Sequence, residues 1–142
     1  MPARAPVGTA SPRFSVIMNA YNGARFLKQA LDSLLAQTCA DWELIFWDDR
    51  SEDQSAAIFE RYRDPRFRYF RAAERTGLGE ARNQAVRHAT GEWLAFLDQD
   101  DLWLPEKLAK QVLIMSRQPE VALVYTNYWK LVGTHHYTPL NP

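Results

Sequence analysis

Residues 14–49 read FSVIMNAYNGARFLKQALDSLLAQTCADWELIFWDD, and the change of period inside them decides the fold. Phe14–Met18 is a short strand-like apolar run, closed by the turn-prone Asn19–Gly23. Ala24–Gln37 then sets Phe26, Leu27, Ala30, Leu31, Leu34 and Leu35 on one stripe of a helix. Trp42–Trp47 is a second apolar run, ending in Asp48-Asp49-Arg50-Ser51. A strand, a helix and a strand joined by short links imply parallel strands with a right-handed crossover.

The same alternation continues outward. Asp53 is expected to cap a helix over about Gln54–Arg63, with Ala57, Ile58 and Tyr62 facing inward. Phe67–Arg71 reads as a strand nearer an edge, and Leu78–Ala89 as a helix that Gly91 stops. Trp93–Leu97 is a fourth strand. Pro105 suits a first helical turn, and Leu108, Val112 and Met115 carry that helix to Pro119. Val121–Thr126 is expected to be a fifth strand. The fold class implied is α/β, a mostly parallel sheet with helices on both faces.

Open sheets of this kind bind ligands outside the carboxyl ends of their strands, and the polar clusters fall there. Asn19–Asn22 follows the first strand, Asp48-Asp49 the second, and Asp98-Gln99-Asp100-Asp101 the fourth. Hard divalent cations prefer oxygen ligands, and a site for Mg²⁺ takes one or two carboxylates plus substrate phosphates. On an extended chain Asp98 and Asp100 share a face about 6.5 Å apart. They can converge on one ligand, while Asp101 points elsewhere unless the chain turns. The plainer alternative is a surface turn that happens to be acidic.

Composition narrows the classes. With 142 residues and 46% hydrophobic content, the chain has enough apolar material for one core. Seventeen basic and seventeen acidic residues cancel, so no global field argues for nucleic acid or an anionic membrane. No run of 18 apolar residues offers a membrane span. Met1–Pro12 lacks the apolar centre of a signal peptide. Cys39 is the sole cysteine, which fits a reducing compartment. The expected location is the cytoplasm, or the inner face of the membrane as a peripheral protein.

Five segments in order resemble the inverting glycosyltransferases of family 2, in their nucleotide-binding half of GT-A (Rossmann-like) fold. They are Ser15–Asn22, Ser33–Thr38, Trp42–Leu44 leading into Asp48–Ser51, Ala81–Ala85, and Gly91–Trp93 leading into Asp98–Asp101. Arg50 and Asn19 depart from the residues common in the family at those places. The resemblance implies a nucleotide-diphosphate sugar donor, most simply a UDP-sugar, bound with Mn²⁺ or Mg²⁺. Its sugar would pass to a glycan or lipid-linked acceptor. Asn19 and Tyr21 would lie at the nucleobase, and Asp49 would accept the imide N–H of uracil. Asp98 would hold the ribose. Asp100 and Asp101 would supply the metal ligand, the split between them left open. Arg82 would approach the phosphates or pair with a structural carboxylate. The catalytic base would lie outside the matched segment. Residues 1–12 are accordingly expected to be a flexible tail and 13–132 the nucleotide-sugar-binding domain. Residues 133–142 would be a C-terminal tail before the acceptor half, whose missing contact would favour a homodimer. The competing reading is a non-catalytic nucleotide-binding or regulatory module of the same fold.

Other features have bland readings. His135-His136 lack a spaced third ligand, and His88 reads as a solvated helix residue. The arginines at 61, 63, 66, 68, 71 and 75 read as a solvated face. Trp42, Trp47 and Trp93 read as core, and Trp103 as either a wall of the donor pocket or packing beneath it.

Overall fold

In a computed structural model of the chain, the alternating periods form a four-stranded parallel sheet in the order β3-β2-β1-β4. The structure describes residues 11–132 and 135–137. The strands are β1 (Phe14–Ala20), β2 (Trp42–Asp48), β3 (Phe67–Arg71) and β4 (Trp93–Phe96). Between them run helices α1 (Ala24–Leu35), α2 (Ser55–Phe59) and α3 (Leu78–Val86), and α4 (Lys107–Arg117) follows β4. The chain divides into two compact units, Met1–Leu108 and Ala109–Pro142. Both expected tails lie largely outside the described residues, and so do the side chains of His135 and His136.

All seven residues of β1 and all seven of β2 are buried, as parallel strands covered on both faces must be. The register pairs Ile17 with Ile45 and Met18 with Phe46, which sorts the two faces. Ile17, Ile45 and Trp47 pack with Ala81 and Ala85 of α3. On the opposite face Phe46 stacks on Phe59 of α2, with ring centroids 4.4 Å apart, and on Tyr69 at 5.7 Å. Removing the Phe46 side chain would cost about 3–5 kcal/mol.

Several expectations need correction. β1 and β2 run on to Ala20 and Asp48, so Asn19 and Asp48 belong to strands and not to loops. The buried residues of α2 are Ser55 and Phe59, whereas Ala57 is exposed. The aromatic cluster of Phe46, Phe67 and Tyr69 claims Phe59, and this turns the short helix away from the expected face. The N-cap of α2 is Gln54 and not Asp53; Asp53, one residue earlier, accepts the Ser55 N–H at 2.9 Å on one oxygen and the Ala24 N–H at the start of α1 on the other.

Helix α1 ends at Leu35, and just beyond it the Gln37 side chain ties the chain down. Its Nε2 donates to the Ser33 and Leu104 carbonyls, and its Oε1 accepts the Leu108 N–H. Helix α3 likewise ends at Val86, and tighter turns carry the chain through His88 and Ala89. In the second unit, Val121–Thr126 forms no strand. Strand propensity needs a neighbouring edge to pair with, and the run exposes Leu123 and Tyr125 instead. The pairing in this unit is antiparallel, between β5 (Lys130–Val132) and β6 (His135–Tyr137).

Candidate functional site

Three strand ends meet at the carboxyl edge of the sheet. Ala20 lies opposite Asp48 in the β1–β2 register, and the Leu97 N–H donates to the Ile17 carbonyl at 3.1 Å. Asn19 and Tyr21, Asp48 and Asp49, and Asp98–Asp101 therefore share one edge. Beyond it the loops are stitched together by side chains. Asn22, held at φ 50, accepts the Glu52 N–H, and its own N–H donates to Ser51 Oγ.

The two adjacent aspartates divide their work. Asp48 is fully buried. It accepts the Ser51 N–H at 2.6 Å on one oxygen and the Tyr69 hydroxyl at 2.6 Å on the other. Burial of the Tyr69 phenol, then its hydrogen bond to Asp48 and the Asp48 charge, push the Tyr69 pKa well above the tyrosine range. Asp49 reaches across to the loop before α3. Its Oδ1 accepts the Thr76 N–H and hydroxyl, and its Oδ2 accepts the Gly77 N–H at 2.9 Å. Gly77 sits at φ 83, a conformation open to glycine. A carboxylate has about four acceptor positions, so one on Oδ2 remains.

Arg50, directly after this pair, also has positive φ, at 69. A side chain there is strained, by roughly 1–2 kcal/mol. Asn19 is almost fully buried, and its Nδ2 has no hydrogen-bond partner among the described residues. The Arg75 guanidinium lies 3.8 Å from the Tyr21 ring centroid.

The acidic loop behaves differently from Asp48 and Asp49. Asp98, itself one of the expected site residues, pairs with Arg82 at 2.9 Å, while Arg82 Nε is buried without a hydrogen-bond partner among the described residues. Partial burial, then the Asp98 and Asp100 charges, push the Asp101 carboxyl above the usual carboxylate range. Among the described residues, no three His, Cys, Asp or Glu side chains are gathered to hold a metal by themselves. The donor set nonetheless suits a hard cation. Asp100 and Asp101 are neighbouring carboxylates, and two such groups plus diphosphate oxygens would complete a site of the Mg²⁺ type.

Trp103 is tied back to α1 by its N–H to Ser33 Oγ, and Lys107 Nζ sits 4.1 Å over its ring. Burial lowers the Lys107 pKa to about 8.

The reading from sequence missed Gln99, Arg75, Thr76 and Gly77. Gln99 lay hidden between three acids, and the other three belong to a loop distant in sequence. His88, expected in solvent, instead stacks on Phe70 at 3.8 Å, and burial lowers its pKa. The basic run resolves into separate pairs: Arg66 with Asp64, Arg68 with Glu43, Arg71 near Asp48, and Arg75 on Tyr21.

Residues 15–142 match the family described as Glycosyl transferase family 2. The chain belongs to that family. It is 35% identical over 114 residues to the Escherichia coli UDP-Glc:alpha-D-GlcNAc-diphosphoundecaprenol beta-1,3-glucosyltransferase WfgD, covering 80% of this chain and 45% of that protein. It is 36% identical to the putative teichuronic acid biosynthesis glycosyltransferase TuaG of Bacillus subtilis, over 82% of this chain and 47% of that one. The chain thus spans about half the length of the curated relatives it matches. Among solved structures, S. aureus TarS 1-349 in complex with UDP-GlcNAc superposes with a TM-score of 0.72 at 31% identity, over 75% of this chain and 32% of that one. The mannosyltransferase PcManGT from Pyrobaculum calidifontis, in complex with GDP-Man and Mn²⁺, superposes with a TM-score of 0.69 at 32% identity, over 79% and 34%. The family 2 sheet is thus the α/β sheet expected from sequence. No described helix is long and apolar enough to cross a membrane.

Proposed function

We propose that residues 13–132 bind the donor of a family 2 glycosyltransferase, a nucleotide-diphosphate sugar, for inverting transfer of the sugar to an acceptor hydroxyl. The observation that carries this reading is the convergence of Asn19, Tyr21, Asp49 and the Asp98–Asp101 loop at one sheet edge. The unpartnered Asn19 Nδ2 and the remaining acceptor position on Asp49 Oδ2 form a donor–acceptor pair suited to a base edge. A uracil presents a carbonyl and an imide N–H in just that complementary sense, so a UDP-sugar is the donor. Tyr21 offers its ring to the base. Asp98 binds the ribose, exchanging its Arg82 partner, whose guanidinium then suits the diphosphate oxygens.

Asp100 and Asp101 would hold Mn²⁺ or Mg²⁺, which when bound would supply Lewis-acid stabilisation of the charge on the departing nucleotide. We assign the acceptor site and the base that deprotonates its hydroxyl to the part of the relatives that this segment does not match. The acceptor would be a glycan or a lipid-linked sugar, the latter bringing the protein to the inner face of the membrane.

Calorimetric titration with UDP and GDP, each with Mn²⁺ and with EDTA, tests the reading. UDP should bind more tightly than GDP, and EDTA should weaken it by at least about tenfold, roughly 1.4 kcal/mol. Equal affinity with and without metal would remove Asp100 and Asp101 from their assigned role.

A further inference from the structure

Gln99 stands between the acids of the metal loop and touches none of them in the hydrogen bonds it makes. Its side-chain amide turns instead to the backbone of Tyr21. The Tyr21 N–H donates to Gln99 Oε1 at 3.1 Å, and Gln99 Nε2 donates to the Tyr21 carbonyl at 3.2 Å. A main-chain N–H can only donate and a carbonyl can only accept, so this pair of bonds fixes the amide in a single orientation. The arrangement continues the sheet by other means. Backbone pairing between β1 and β4 ends with the Leu97 N–H on the Ile17 carbonyl, and the Gln99 side chain supplies the next rung.

The fit extends to Gly23. A Cβ on that residue would lie 2.0 Å from Gln99 Oε1 and 2.4 Å from Gln99 Cδ. Gly23 has φ −97, which any residue adopts, so the backbone conformation does not demand glycine here. The Gln99 amide fills the space beside it, and a Cβ there would have to displace that side chain.

We propose that Gln99 is a positioning residue that sets the distance between the nucleobase end of the donor site, at Asn19 and Tyr21, and its diphosphate end, at Asp98–Asp101. The proposal rests on the donor-binding reading above. A ligand that spans both ends gains affinity when they are held at the right separation, because the second contact is then made at high effective concentration. A ligand that touches one end gains nothing from the latch.

The test compares three probes on the whole chain by NMR titration and calorimetry: uridine, inorganic pyrophosphate with Mn²⁺, and UDP with Mn²⁺. Gln99→Met keeps the length of the side chain and deletes both hydrogen bonds. It should weaken UDP–Mn²⁺ binding by about tenfold or more while leaving uridine and pyrophosphate–Mn²⁺ within about twofold. Gly23→Ala displaces the amide from the opposite side and should give the same pattern. The double variant should lose no more than either single one, since both break one contact.

Unchanged UDP affinity in Gln99→Met overturns the assignment. So does an equal loss for all three probes, which would mark a general loosening of the fold. If the native chain binds no UDP with Mn²⁺, the donor-binding reading itself falls, and this assignment falls with it.

Discussion

Glu43 at the amino end of the sheet and the Asp98–Asp101 loop at the carboxyl end hold carboxylates in opposite circumstances, the first buried and the second exposed. At the amino end, Glu43 at the start of β2 is surrounded by donors. Ser15 Oγ, the Thr90 N–H and hydroxyl, and Arg68 Nη1 all give it hydrogen bonds of 2.7–2.8 Å. Burial alone would raise its pKa, but the bonds from Ser15, Arg68 and Thr90 outweigh that and hold it below the usual glutamate range. At the carboxyl end, Asp101 is pushed the other way by burial and by the Asp98 and Asp100 charges. A carboxylate supplied with donors is a rivet. Carboxylates set beside one another without such donors raise one another's pKa.

The largest effect expected from this contrast is at the rivet. Glu43→Ala leaves the Ser15 hydroxyl, the Thr90 N–H and Arg68 without their acceptor, and should cost about 3 kcal/mol of stability in urea unfolding. The pH dependence carries the sign of the same interaction. Because the folded pKa of Glu43 is depressed, its contribution is complete above the unfolded value near 4.5 and is lost as pH falls through the folded value. Glu43→Gln should therefore flatten the fall in stability below pH 4.5 relative to the native chain. A variant as stable as the native chain, with an unchanged acid limb, would break the comparison.

A smaller effect is expected at the carboxyl end, where the backbone itself is strained. Arg50→Gly relieves a positive φ of 69. Allowing for the added freedom of glycine in the unfolded chain, it should raise stability by about 0.5–1 kcal/mol. A loss of stability would mean that the Arg50 side chain makes up for its strained backbone.

The smallest change in stability should come from Asp100→Asn or Asp101→Asn. Removing one of three neighbouring negative charges should leave stability unchanged, or raise it by no more than about 0.5 kcal/mol. UDP binding should meanwhile lose its dependence on Mn²⁺. Destabilisation on the scale of Glu43→Ala would show that the acidic loop is a rivet as well.

How much of this was legible in the sequence follows from the range of the interactions. The strand–helix alternation was readable because each element declares its own period. Phe14–Met18, Trp42–Trp47 and most of the α1 stripe needed no knowledge of their neighbours, although Phe26 and Leu35, expected on that stripe, are exposed and only Leu27, Ala30, Leu31 and Leu34 are buried. The gathering of Asn19, Asp49 and Asp98 at one edge followed from topology alone. What stayed hidden depended on partners far along the chain. Asp49 binds the loop at Thr76 and Gly77, Arg75 covers Tyr21, and Gln99 bridges to Tyr21 across 78 residues. The facing of α2 failed for the same reason, because Phe59 answers to an aromatic cluster drawn from β2 and β3. Val121–Thr126 had the composition of a strand but forms none.

The contact between Gly23 and Gln99 has a consequence for recombination among homologous genes. Residues 19–23 and 98–101 behave as one cassette although β2, β3, β4 and three helices separate them in the chain. A chimera that takes the second segment from this chain and the first from a relative with a larger residue at position 23 inherits a collision. Moving both segments together preserves the latch. A library shuffled between these segments should therefore return, among clones that still bind donor, an excess of those in which the two ends of the cassette share a parent.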